Sequence, residues 1–252
     1  MNKKIVLLGT LVSSALMLSS CLGESEPEGQ IAGYFSIQHT SSGYVLHMDA
    51  GQNTAIVYPS PASVSALTGG KGFEDVKRAS LSMKYKDANY SIDDKKNLVV
   101  LDAELLAGQN IPVRNLLSES EATDKKILEK DSIGSIESLD RLWGYRGYIT
   151  AVYTSMYIVK ASMGIVPTMN VVATQDTSDP SIYNCQFVLN PHKKNSTDMS
   201  GGRYQFATSF DITSLVADIP AGADSITFKF KGEGISKPVS IKLGRRDFGY
   251  AF

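Results

Sequence analysis

The chain has 252 residues, of which 42% are hydrophobic and 20% charged, and its formal net charge is −1. That length gives room for one large or two small domains with hydrophobic cores of their own, and two is the expected arrangement. The near-neutral balance, with no basic block anywhere, leaves phosphate-neutralising nucleic-acid binding little to work with.

At the N-terminus Lys3 and Lys4 precede an apolar stretch from Ile5 to Leu18, followed by Leu18-Ser19-Ser20-Cys21. A charged start, an apolar centre and a small-residue cleavage site make a signal peptide over residues 1–20. The apolar stretch falls short of the roughly 20 residues that a membrane-crossing helix needs. An Ala-x-Ala-like end would mark a plain secretory signal. Here a Leu, two small residues and a Cys stand in order, which resembles the lipobox of bacterial lipoproteins. That resemblance implies cleavage before Cys21 and acylation of its sulfur and new amine, and it makes membrane lipid a partner of the chain. Several acyl chains together satisfy the two-signal requirement for stable anchoring. Residues 21–30 carry Glu24, Glu26, Pro27, Glu28 and two glycines without apolar periodicity, the composition of a flexible tether. Position 22 is Leu and not the Asp that signals inner-membrane retention in many enterobacterial lipoproteins, so the outer membrane is the expected address. The acidic tether resembles surface-export signals of some Gram-negative anaerobes, which favours the cell surface over the periplasmic face.

Beyond the tether the chain reads as strands. Short runs rich in Val, Ile, Tyr, Phe and Thr cover 43–48, 55–58, 79–85, 90–92, 98–101, 147–159, 186–189, 204–210, 225–231 and 239–243. Turn-forming clusters such as Asp93-Asp94-Lys95-Lys96-Asn97 and Ser200-Gly201-Gly202 separate them. This is the pattern of an all-β sandwich or barrel. Thr227-Phe228-Lys229-Phe230-Lys231 alternates most clearly, as a half-buried strand should. Once Cys21 is acylated only Cys185 remains, so the mature chain has no intramolecular disulfide. Cys185 alternates with Tyr183, Phe187 and Leu189 and should be a buried, inert thiol.

Helical signal is scarce: Asp211 caps a short apolar run at 212–217, enough for a turn or two. The loop from Ser60 to Asp75 is long, and Gly69-Gly70-Lys71-Gly72 within it lacks the spacing of a phosphate loop. Residues 118–138 are rich in carboxylates without a sustained apolar face and read as solvated connector. The domain boundary is placed near residue 120, giving domains over 31–120 and 121–252.

Three groups of residues carry a family resemblance. Asp131-Ser132-Ile133-Gly134-Ser135-Ile136, then Leu142-Trp143, then Gly147-Tyr148-Ile149-Thr150-Ala151-Val152-Tyr153 form a Trp followed by a tyrosine-rich strand. Val45-Leu46-His47-Met48-Asp49-Ala50-Gly51 with Ile56-Val57-Tyr58-Pro59 precede them. Phe210-Asp211-Ile212-Thr213-Ser214-Leu215 with Ser225-Ile226-Thr227-Phe228-Lys229-Phe230 follow. Together with the lipobox these resemble the NigD-like lipoproteins. The resemblance implies an OB-like N-terminal β-barrel followed by a C-terminal antiparallel β-sandwich. It supplies no catalytic residue, ligand or cofactor.

No catalytic constellation is legible. A Gly-x-Ser-x-Gly string is absent. The histidines at 39, 47 and 192 show no zinc-site spacing, and His47 beside Asp49 reads as a structural hydrogen-bond pair. Asp176, Asp179 and Asn184 cluster without the spacing of a calcium loop and also suit an ordinary turn. The expectation is a protein without cofactor, metal or enzymatic activity. Its candidate ligand-binding aromatics are Trp143, Tyr145, Tyr153 and Tyr157. By strand parity Tyr145, Tyr153 and Tyr157 share one face, and the opposite face with Val152 and Ile158 is the expected core. Three functional readings stand: a lipid-anchored, non-catalytic envelope protein acting through binding or protein interaction, an accessory module capturing glycans on exposed rings, and a hydrolase whose groups are distant in sequence.

Overall fold

A computed structural model describes residues 28–49, 54–128, 136–160, 163–165, 167–190, 199–218, 224–232, 235, 237–244 and 247. Cys21, the expected signal segment and most of the expected tether lie outside the described residues. The chain divides into two compact units, Met1–Asn110 and Ile111–Phe252.

The first unit runs β1 (Glu28–Thr40), β2 (Gly43–Met48), β3 (Ala55–Pro59), helix α1 (Pro61–Thr68), β4 (Arg78–Lys86), a single 3-10 turn (Asp87–Asn89), β5 (Tyr90–Ile92) and β6 (Leu98–Asn110). The strands follow the order β3-β2-β1-β4-β6, and β3 pairs in parallel with β6, which closes a five-strand barrel. This is the expected OB-like arrangement. Phe35, Leu46, Val57, Met83 and Val100 fill its interior with almost no exposure. The expected tether is shorter than residues 21–30, because Glu28 and Gln30 already pair with Lys86 and Lys84 along β4. Ladder pairing orders a stretch whose composition alone gives no reason for order.

Helix α1 occupies part of the expected long loop. The Ser60 hydroxyl accepts from Ser63 N–H at 3.3 Å, Pro61 opens the first turn, and Gly69 ends the helix at φ 63. Gly70 N–H then donates to Ser65 O at 2.8 Å, completing an ordinary glycine stop.

The second unit contains β7 (Val113–Asn115), α2 (Glu119–Asp124), β8 (Ser138–Tyr145), β9 (Tyr148–Lys160), β10 (Met163–Ile165), β11 (Thr168–Gln175), β12 (Ile182–Asn190), β13 (Met199–Asp211), a 3-10 stretch (Thr213–Asp218), β14 (Ser225–Lys231) and β15 (Val239–Gly244). One sheet runs β10-β9-β13-β7 with β8 also on β9, and the other runs β11-β12-β14-β15. Both sheets supply side chains to one core, in which Phe187 stacks on Phe230 at 5.0 Å and Tyr183 on Phe228 at 5.5 Å. The pairing is antiparallel except where β12 meets β14 and β13 meets β7, both parallel.

The division falls after Asn110, upstream of residue 120, because β7 pairs with β13 of the sandwich. The start of the acidic stretch is also not free connector. Ser118 and Glu121 form a reciprocal capping box on α2, whose Ala122 is buried with Val172 and Val188 against the outside of β11 and β12. Leu117 N–H donates to Val171 O at 2.9 Å, which pins the approach to that helix.

Candidate functional site

Strands β8 and β9 are joined by Arg146 and Gly147, at φ 47 and 77. Two successive left-handed residues are what a type I′ hairpin turn requires. Tyr145 therefore lies opposite Tyr148, and Trp143 opposite Thr150. By strand alternation these rings share the face of the hairpin opposite Leu142 and Gly144, which turn inward toward the sandwich core. Trp143, Tyr145 and Tyr148 are each half-buried.

Tyr153 does not join them. It is fully buried in the core with Ile149 and Ala151, its ring 5.8 Å from that of Phe206. Burial raises its phenol above the ordinary range, with Thr208 and Arg114 acting against that rise. The approach to Thr208 falls short of a formed hydrogen bond, leaving the hydroxyl without a partner among the described residues. Two expectations are thus corrected. The common face of Tyr145 and Tyr153 fails because the turn resets the alternation between β8 and β9. The core face is that of Ile149, Ala151 and Tyr153, not that of Val152 and Ile158. The side chain of Tyr157 lies outside the described residues, as does Cys21.

A polar ladder crosses the same sheet nearby. Asp140 accepts from Ser138 Oγ at 2.7 Å, Gln205 Nε2 at 2.8 Å and Thr154 Oγ1 at 3.0 Å. Partial burial pushes this carboxyl up, but the three hydrogen bonds outweigh it and hold it below the usual range.

A second site, on the barrel, escaped the sequence reading. Strand β4 breaks at the 3-10 turn before resuming as β5, while its partner β6 kinks at Asp102, a non-glycine residue at φ 51. The break opens a cleft of about 370 Å3 lined by Glu28, Lys84, Tyr85, Lys86, Asp102 and Glu104, with Ala88 and Asn89 of the turn. Lys84 reaches Glu104 at 3.1 Å and Glu28 at 3.7 Å, and the hydrogen bond and charge of Glu104 raise its ammonium above the usual range. Burial also raises the phenol of Tyr85. Lys84 and Lys86 alternate along β4 on its outward side, and the kink that forms the cleft has no sequence signal. The surface offers charge and hydrogen bonds to a small polar ligand.

Other candidates resolve into structural roles. His47 Nε2 lies 2.9 Å from Gln38 Oε1. Asp49 instead takes Arg78: Nη1 donates to Asp49 Oδ1 at 2.6 Å and to Ser36 Oγ at 2.7 Å, with a second bond from Nη2 to Oδ2. Both side chains are shut off from solvent, at 0% and 1% exposure. Asp176 accepts from Ser178 N–H and Oγ, Asp179 N–H and Asn184 Nδ2, and these bonds hold its carboxyl down to about 2. Asp179 does the same for Ser181. Both carboxylates tie the β11–β12 loop together. Burial pushes the Cys185 thiol up to about 12, out of the range of a thiolate nucleophile.

No family model and no curated protein matches the sequence. Among solved structures, the chain is similar to a candidate lipoprotein of Bacteroides fragilis at 11% identity and a TM-score of 0.54, covering 84% of this chain and 97% of that one. It is also similar to a protein of unknown function from Bacteroides vulgatus at 14% identity and a TM-score of 0.47, covering 85% of this chain and 90% of that one. The first likeness shows a shared fold.

Proposed function

We propose that this protein is a lipid-anchored component of a bacterial outer membrane, held through acylated Cys21, that works by non-catalytic binding or protein interaction. The observation that carries the reading is Leu18-Ser19-Ser20-Cys21 behind a lysine-flanked apolar stretch. Support comes from the fold shared with a candidate lipoprotein of Bacteroides fragilis. Its non-catalytic character is supported by the fate of the reactive groups. The free thiol is buried, Lys84 engages Glu28 and Glu104, and Asp49 and Arg78 occupy one another. Glycan capture on the tyrosine-rich strand has less support, because Tyr153 belongs to the core.

The test is Cys21→Ala in cells, with fractionation and protease shaving. The expected result is loss of the variant from the membrane fraction, while the parent stays there and is digested on intact cells with a periplasmic marker spared. Membrane retention of the variant overturns the lipid anchor. Digestion of the parent only after lysis moves it to the periplasmic face.

A further inference from the structure

Strands β3 and β6 are neighbours on the barrel wall, and their alternation sends Ala55, Val57 and Val100 inward. The residues between them, Ile56, Tyr58, Val99 and Leu101, therefore face outward. Ile56 pairs with Val99, and at the bulge between Val57 and Pro59 the chain leaves Tyr58 and Leu101 42% and 51% exposed. Four apolar side chains on two adjacent strands form an outward strip on a barrel whose interior is already filled. Further along β6 the surface turns polar at Glu104, which meets Lys84, which in turn meets Glu28. Glu28 is the first residue of β1, so the polar run leads from the strip to the point where the tether enters the barrel. The seven Cα steps from Cys21 to Glu28 span at most about 25 Å. An acylated Cys21 would keep this wall of the barrel within a short reach of the headgroups.

We propose that this strip is a membrane-contact surface, laying Tyr58 and Leu101 into the headgroup boundary of the bilayer that holds the acyl chains. The inference rests on the lipid-anchor reading above. Tyrosine and leucine suit that depth, where an aromatic ring with a polar tip sits beside aliphatic carbon. The charges of the adjoining cleft are mixed, Glu28, Asp102 and Glu104 against Lys84 and Lys86 with Lys84 drawn to Glu104 and Glu28, so no net positive field draws the strip to anionic lipid. Contact should form equally on zwitterionic lipid and resist added salt.

The experiment uses the acylated full chain in phosphatidylcholine vesicles, with a nitroxide attached at Leu101→Cys and, as a control, at Tyr204→Cys, a position 54% exposed in the sandwich unit. Flotation confirms anchoring in each sample. The expected result is a several-fold lower collision rate of the Leu101 probe with a water-soluble relaxer, unchanged by salt, with the Tyr204 probe open. Flotation with both probes equally open overturns the contact surface while leaving the anchor standing. Failure to float overturns both. Shielding of Leu101 that persists in the unacylated Cys21→Ala chain in buffer, without lipid or detergent, assigns the strip to a second copy of the chain and also overturns the proposal.

Discussion

At the scale of single residues, the strongest commitments are buried charges and tied carboxylates. Arg78 and Asp49 are sealed inside the barrel unit, where each ion depends on the other and on Ser36. Removing one partner strands the other, which costs far more than the pair itself contributes. Arg78→Ala should lower unfolding stability by about 3–5 kcal/mol, read from urea denaturation; a loss below about 1 kcal/mol would mean that water reaches Asp49. Asp176 makes the opposite case, a half-buried carboxylate held down to about 2 by side-chain and backbone donors around the β11–β12 loop. Its folded value lies below the unfolded one of about 3.9, so its contribution is complete above that value and is lost as pH falls toward 2. The carboxyl carbon resonance of Asp176 should titrate with a midpoint near 2. A midpoint at the ordinary aspartate value would show that the loop bonds are not formed in solution. The sequence made Cys185 legible as a buried thiol because three apolar neighbours share its parity. Tyr153 was not legible as core, since parity says which residues share a face and not which face is covered.

Elements were read well wherever local pattern and pairing agree. Strands β2, β5 and β14 span the residues that alternation marks, and the Asp211 cap is present, with its carboxylate accepting from Thr213 N–H and Oγ1. Strand β1 was missed because its N-terminal half is polar and glycine-bearing and gains order only from β4. Helix α1 was missed despite a Ser-Pro start and a glycine stop, since its eight residues carry little apolar periodicity. The hairpin turn between β8 and β9 places Arg146 at φ 47, a conformation that costs an ordinary side chain free energy. Asn is tolerated there and pairs naturally with Gly147. Arg146→Asn should raise stability by about 0.5–1 kcal/mol, visible as a higher thermal midpoint, in keeping with other cures of unfavourable backbone positions. A fall would show that the Arg146 side chain contributes more than its backbone costs.

At the scale of the whole molecule, an OB-like barrel and a two-sheet sandwich each close a core of their own, and among the described residues Asp49, Arg78, Asp176 and Cys185 are engaged in holding those cores and loops. The all-β character was legible from strand density and punctuation. The order of strands, the closing parallel pair between β3 and β6, and the cleft beside Asp102 depend on contacts between distant segments that no local pattern encodes. Under the proposed function the N-terminal segment and Cys21 give the molecule its address, and binding surfaces on a tethered scaffold give it work to do there. The most direct test of that account is the intact mass and N-terminal sequence of the protein extracted from membranes of its own cells. The account predicts a chain beginning at Cys21 and heavier than the bare polypeptide by its acyl groups and glyceryl link. A chain of unmodified mass, or one whose N-terminus lies away from Cys21, would contradict it.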